Sequence, residues 1–356
     1  MRGTVHIRDG FENHWTVLRV FMAAMVMVGH AMVIGYRDLA SEPAVIGDWT
    51  LSYLAVDAFF VASGFLVTAS IMHRRDTLDY GVARLLRIYP ALIVHVLLVI
   101  AVVGAATTVL PLVEYFTSWN TWRNVPLVLS FVDTSFFLPG VFESNHEAFA
   151  SAPIWTLRYE LLAYLGTGLA YSVGLMKHRW MVAAQFGVFA VLWPLAHVTG
   201  IWESLPATVQ NVLRFGLAYG FGAFLWVHRR ELPLRWWVVP VMVLACGLSF
   251  GRAWDEVMFV VMVGYTLFWL AYQPVGKPVK WPDLSYGIYI WHWPLMQWVA
   301  SERPEWGPLA LLAVAGPATV AVAWASWTYV EEPMLKRKAA VSAWVRGRRR
   351  RALRHA

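Results

Sequence analysis

Cysteine is almost missing: the 356 residues contain one, Cys246, so no disulfide can form within the chain and no zinc cluster can be built from thiolates. Cys246 sits in an apolar run and is assigned to packing. Charge is scarce as well. Asp, Glu, Lys and Arg make up 14% of the chain, against about a quarter in an average soluble domain. No stretch outside the apolar runs is long enough to bury a core of its own, and neither an internal repeat nor a low-complexity segment is present. These absences exclude a disulfide-stapled scaffold, a solenoid and an ordinary soluble enzyme. The N-terminus carries acidic residues, and no small-residue cleavage site follows the first apolar run, so that run is expected to stay as a span and not to be removed as a signal peptide.

What is abundant is hydrophobicity, at 59% of residues, with a mean hydropathy of +0.53. Tryptophan occurs 21 times, and Trp49, Trp119, Trp180, Trp236, Trp281 and Trp306 stand where apolar runs meet polar ones, as interfacial anchors do. Apolar segments fall near 16–35, 50–72, 88–110, 153–175, 180–200, 208–228, 236–251, 256–273, 284–300 and 308–330. The expected fold is therefore all-α, a polytopic transmembrane helical bundle of about ten spans.

Numbering the loops alternately puts most of the 29 Lys and Arg on one side, among them Arg74, Arg75, Lys177, Arg179, Arg229, Arg230, Lys277 and Lys280. Arg37, Arg123, Arg252 and Arg303 fall opposite, while Arg158 and Arg214 lie within spans. The bias predicts that both termini are cytoplasmic. Residues 1–335 read as one membrane domain and 336–356 as a basic cytoplasmic tail. The tail and the net charge of +7 are explained by orientation and by anionic lipid, with no nucleic-acid partner. Segment 125–139 is apolar but short and ends at Pro139 and Gly140, so it is expected to be re-entrant or interfacial. The polar stretch after it, VFESNHEAFASAP, reads as a loop at the outer mouth.

Inside this apolar background a few polar side chains stand out, because ionisable residues within a span are functional candidates by default. Arg19 and His30 lie in the first segment with ten residues between them. On a helix eleven steps return to within about 20° of the same face and advance about 16 Å, so an Arg19 at the membrane surface puts His30 near mid-depth. The bland alternative is a snorkelling arginine and a histidine bonded to a neighbouring helix. Residues 56–67 (VDAFFVASGFLV) bring Asp57 and a small Ser63–Gly64 step at which another backbone could approach closely. Arg84 and Arg87 in ARLLRIYPALIV share one helical face. PIWTLRYEL at 153–161 holds Trp155, Arg158 and Glu160, and LSYGIYIWHWPL at 284–295 holds Tyr289 and His292. His95 and His197 match no motif and are expected to be satisfied core histidines.

Taken in order, these elements resemble the acyltransferase-3 family of integral membrane O-acyltransferases. The Arg-and-His element matches Arg19 and His30, the phenylalanine-rich Ser-Gly element matches Phe59, Phe60, Ser63 and Gly64, and the paired-arginine element matches Arg84 and Arg87. The tryptophan-to-glutamate element matches Trp155 through Glu160, the Tyr-Gly and His-Trp-Pro element matches Tyr286 to Pro294, and the closing Glu and Pro match Glu331 and Pro333.

The resemblance implies transfer of an acyl group, usually acetyl, from cytoplasmic acyl-coenzyme A to a hydroxyl of a cell-surface or secreted glycan, in a bacterial plasma or inner membrane. Acyl-CoA is then a co-substrate, with no tightly bound cofactor and no metal. Arg19, Arg84 and Arg87 are candidates for the coenzyme A phosphates, because a guanidinium is a permanently charged fork suited to phosphate. His30 is the candidate general base, and either Asp57 or Glu160 is the carboxylate expected to orient it. Glu160 has a competing role as an ion-pair partner of Arg158 or Arg214.

Ser63, Trp155, Arg158, Tyr289 and His292 are candidates for the substrate pocket. Arg158 departs from the family pattern and reads either as a contact to an anionic group or as that partner. No nucleophile stands out, which favours direct transfer. Some relatives carry an appended esterase-like domain; here none is expected. Two alternatives remain: a glycolipid, lipid-linked or secondary-metabolite acceptor, and, from another class, a non-catalytic transporter with an intramembrane proton relay.

Overall fold

The structure is a computed structural model that describes residues 4–6, 14–273 and 281–355, with side chains over 14–273 and 281–348. Lys277, Lys280 and the tail side chains beyond 348, counted above in the charge bias, lie outside the described residues. A helix occupies each predicted apolar segment: α1 (Trp15–Tyr36), α2 (Leu51–Arg74), α3 (Thr77–Leu98), α4 (Trp155–Ser172), α5 (Arg179–Val198), α6 (Ala207–His228), α7 (Val238–Ser249), α8 (Asp255–Ala271), α9 (Ser285–Glu302) and α10 (Pro308–Ser326). The basic tail forms α11 (Lys338–His355).

Among the described residues, five helical runs are long and apolar enough to cross a membrane: Trp15–Tyr36, Leu51–Arg74, Thr77–Thr107, Arg179–Val198 and Pro308–Lys336. Among the described residues the fold is helical but for two short antiparallel pairs and an isolated bridge between Thr108 and Val141. One pair joins β1 (Thr4–His6) to a strand at Pro233–Arg235, and the other joins Ala44–Ile46 to Trp49–Thr50.

The chain divides into two compact units. The first is built from Met1–Met22, Ala44–Arg75 and Tyr159–Trp281. Its centre is the packing of α2 on α6, with α5 and α8 against the same pair. Glycine decides how close these helices come: a Cβ at Gly64 would stand 2.0 Å from the Tyr219 carbonyl oxygen, and one at Gly222 2.0 Å from that of Val61. The Ser63–Gly64 step is thus a true backbone contact. Its reciprocal glycine on α6 carries no comparable sequence signature.

The second unit comprises Ala23–Pro43, Asp76–Arg158 and Pro282–Ala356. Here α9 lies on α10, and Gly287 permits the approach, since a Cβ there would meet the Ala323 Cα at 2.8 Å. An apolar cluster of Ala31, Ile34, Trp293, Met296, Leu311 and Ala315 joins α1, α9 and α10. Segment 125–139 forms no crossing helix. It holds only Asn124–Leu129, six residues and about 9 Å, and then turns back. The Asn124 side chain donates to the Phe137 carbonyl at 2.9 Å, and the Val109 N–H donates to the Gly140 carbonyl at 2.9 Å.

Between α2 and α3, Asp76 caps α3 by accepting the N–H groups of Leu78 and Asp79, while Arg346 of α11 pairs with Asp76 at 2.6 Å and Asp79 at 2.8 Å. The Asp79 N–H, with help from the Leu78 N–H and Arg346, holds the Asp76 carboxyl below its ordinary value.

Two predictions concern this framework. Gly222→Ala lowers the thermal unfolding midpoint of the detergent-purified protein, an overpacking cost of about 1–3 kcal/mol. Gly166→Ala, at a helical glycine with open space around its Cβ position, leaves that midpoint unchanged or raises it. Asp76→Ala costs about 1 kcal/mol at neutral pH. Because the folded value is depressed, the cap contributes fully above the ordinary carboxylate range and its contribution is lost as the pH falls through the depressed value; wild type and variant therefore converge in acid, as read by thermal scans across pH.

Candidate active site

His30 projects from α1 into the second unit, and its Nδ1 lies 2.8 Å from Nε2 of His292 on α9. The edge of Trp293 meets the His30 ring at a centroid distance of 5.0 Å and 90°. His292 is fully buried, whereas His30 is half-buried. The helix itself orients His292, because its Nδ1 lies 3.0 Å from the Ile288 carbonyl one turn back.

A carbonyl only accepts, so that nitrogen carries the proton in the neutral ring, and Nε2 is left as an acceptor. The proton in the histidine pair therefore belongs to Nδ1 of His30, and Nε2 of His30 keeps its lone pair. One backbone carbonyl thus fixes two tautomers in series. The product is an imidazole nitrogen able to take a proton.

The other predicted pocket residues divide between the units. In the second unit, Tyr289 and Thr156 share a hydroxyl–hydroxyl bond of 2.7 Å, and Thr156 donates to the Pro153 carbonyl at 3.1 Å, so the Tyr289 hydroxyl is the donor to Thr156. Trp155 is exposed at 38%. Arg158 donates to the Val132 carbonyl at 3.1 Å and to Thr134 at 3.4 Å, tying α4 to the folded-back segment. Arg158 and Glu160 are two positions apart on α4, about 200° around the helix, so the ion pair considered between them is geometrically disfavoured. Glu160, in the first unit, accepts from the Tyr164 hydroxyl. His95, buried in the second unit, bonds Ser151 at 3.0 Å and meets Trp291 edge-on. The His197 ring donates to the Trp193 carbonyl at 2.9 Å.

Asp57, also in the first unit, is fully buried and lies 3.1 Å from Nε of Arg214. Arg214 stacks over the Tyr53 ring and donates to the Tyr53 carbonyl at 3.2 Å. Glu256 completes the group, its Oε2 accepting from Tyr53 at 2.9 Å and from the Trp49 indole at 3.1 Å. Ser63 is half-buried one residue before the glycine contact on α2, and Arg19 is half-buried on the face of α1 that carries His30.

Arg84 and Arg87 share a face of α3. Arg87 pairs with Asp283 at 2.9 Å and with Glu331 at 3.4 Å, and Ser326 donates to Glu331 at 3.0 Å. Tyr286 at the start of α9 donates to the Ile88 carbonyl at 3.0 Å. The second arginine therefore joins α3 to the residues just before α9 and to the helical segment Trp327–Glu331 that continues α10. Arg84 is half-buried.

Sequence reasoning passed over Glu256 and Asp283. Glu256 stands in the first turn of α8 and Asp283 just before α9, where an acid is ordinary, so neither carried a signal of its own. It also expected a carboxylate beside His30, and His292 occupies that place at Nδ1. The His-Trp-Pro element was the available pointer.

The acyltransferase domain family matches residues 13–328 of the chain. Nodulation protein 10 of Rhizobium leguminosarum bv. viciae is 26% identical, the alignment covering 94% of this chain and 96% of that protein. An O-acetyl transferase of Shigella phage Sf6 is 25% identical over 92% of this chain and 97% of its own length. The exopolysaccharide production protein ExoZ of Rhizobium meliloti is 27% identical over 84% and 95%. No solved structure matches the chain. With apolar helices long enough to cross a bilayer and a family match over nearly its whole length, the chain belongs to the acyltransferase-3 family and is a membrane acyltransferase.

Proposed function

We propose that the protein moves an acyl group, acetyl in the first instance, from cytoplasmic acyl-CoA to a hydroxyl of a cell-surface or secreted glycan, with Nε2 of His30 as the base. The observation that carries this is the 2.8 Å contact between His30 and a His292 whose own proton is committed to the Ile288 carbonyl. In the transfer, Nε2 takes the acceptor hydroxyl's proton, the oxygen forms a bond to the acyl carbon, the carbon–sulfur bond breaks, and the proton passes to the departing thiolate. His292 acts through His30 as a positioning residue, accepting from Nδ1–H and stabilising the imidazolium as it forms. A glycan acceptor is supported by the exopolysaccharide role in the name of one relative and an acetyl donor by the name of another.

The donor side follows from charge and topology. In the proposed topology, with ten crossings and both termini cytoplasmic in a bacterial inner membrane, Arg19 in the first unit and Arg84 in the second are each candidates for the phosphates of coenzyme A, which guanidinium forks suit. Arg87, engaged by Asp283 and Glu331, has a structural role of its own within the second unit.

Acetyl-CoA binding and its slow hydrolysis by detergent-purified protein test this reading. His30→Ala keeps acetyl-CoA binding and loses hydrolysis by about 10²–10⁴-fold; no binding by well-folded wild type would defeat the proposal. His292→Phe loses turnover while His292→Gln, whose amide oxygen can accept from Nδ1–H, restores part of it with a shifted pH profile; equal loss in both would deny the positioning role. Arg84→Ala weakens acetyl-CoA binding. Arg87→Ala removes the guanidinium that pairs with the buried Glu331, a cost of up to about 3–5 kcal/mol, read as a lowered unfolding midpoint.

A further inference from the structure

Three helices of the first unit each bring one charged side chain to the same buried place: Asp57 from α2, Arg214 from α6 and Glu256 from α8. Asp57 is 0% exposed and Glu256 1%. Among the described residues Arg214 is the cation that pairs with either acid. Two carboxylates on one guanidinium carry a net negative charge out of reach of water, and a group in that position takes up a proton.

Charge count alone does not decide the matter, because Arg87 in the second unit also faces two acids. There every acid oxygen accepts: those of Asp283 from Ser285 and Arg87, those of Glu331 from Ser326 and Arg87. The first unit differs. Glu256 Oε2 accepts from Tyr53 and Trp49, and Asp57 Oδ2 accepts from Nε of Arg214 at 3.4 Å. The other oxygen of each acid, Asp57 Oδ1 and Glu256 Oε1, is buried with no hydrogen-bond donor, although that same Nε lies 3.1 and 3.9 Å away. The two carboxyl groups also stand within hydrogen-bonding reach of one another. An ionised carboxylate only accepts, so a bond between the two requires a hydrogen on one of them.

The surrounding groups do not supply that hydrogen. Tyr53 and Trp49 direct theirs at Oε2. Asp255, next in sequence, accepts the backbone N–H groups of Gly251 and Glu256. Cys246 of α7, the other titratable group beside Glu256, is not a donor to either orphaned oxygen.

We propose that Asp57 and Glu256 form a proton-binding site, in which the folded protein at neutral pH holds one proton between Oδ1 of Asp57 and Oε1 of Glu256. The proton belongs to the pair, and it leaves one negative charge against the one guanidinium. The proposal concerns the first unit and does not rest on the acyl-transfer reading of the histidine pair in the second.

Infrared spectroscopy of the full chain in detergent at neutral pH tests it, because the carbonyl stretch of a protonated carboxyl is separate from the bands of carboxylates. Wild type is expected to show an acid carbonyl band that shifts in deuterium oxide and on labelling with carbon-13 aspartate or carbon-13 glutamate. Glu256→Gln, whose neutral amide replaces the protonated acid, loses the band. Arg214→Gln removes the cation, so both acids become neutral and the band about doubles. Misfolding cannot mimic that gain, since carboxyls in an unfolded chain are ionised at this pH. A labelled wild type without the band, a band kept in full by Glu256→Gln, or one that does not rise in folded Arg214→Gln overturns the proposal. So does an unfolding midpoint that rises with sodium but not with potassium in a wild type lacking the band, which would put a metal ion in the proton's place. If neither variant folds, the labelled wild type decides by itself.

Discussion

A guanidinium taken out of water has to meet negative charge, or the cost of desolvation unfolds the site around it. Each unit of this protein contains such an arginine. Arg214 lies against Asp57 and near Glu256 in the first unit, under the faces of Tyr53 and Phe215. Arg87 holds Asp283 and Glu331 in the second. In both, the acids come from helices distant in sequence, so the ion pairs specify which helices meet and in what register. Apolar packing alone would specify less in a chain that is 59% hydrophobic, since lipid tails are as good an apolar partner as another helix.

The histidine pair shows a second use of the same constraint. A catalytic imidazole needs one nitrogen tied to a partner so that the other stays available. A carboxylate is the usual device, but it would bring another charge needing compensation. For the base proposed above, a histidine fills that place, and its own orientation comes from a carbonyl of the helix that carries it. The chain of protons ends on backbone, where no further partner is required. Close helix packing supports this arrangement, because Gly35 accepts Pro308 against α1 and Gly287 accepts Ala323 against α9.

Much of this was legible from sequence, for identifiable reasons. Long apolar runs produce helices wherever they occur, and each predicted segment holds one. Segment 125–139 was too short to cross, and it turns back. The Ser63–Gly64 step marked a close contact because only a small residue tolerates one. The acids that hold Arg87 were not foreseen because periodicity reports which face a residue takes and not what stands opposite. Glu256 and Asp283 were passed over for the same reason: an acid at a helix start looks the same whether it caps a helix or holds an arginine.

By itself the sequence determined the helical class, the approximate positions of the apolar segments and some of the ionisable residues within them, because these depend on local hydrophobicity and on residue type. Tertiary structure alone decided the pairings. His30 and His292 are separated by 262 residues and Arg87 and Glu331 by 244, and contacts across such distances are chosen by the packing of whole helices. Which nitrogen of His30 is left with a lone pair is a property of that packing, since it follows from a carbonyl on another helix.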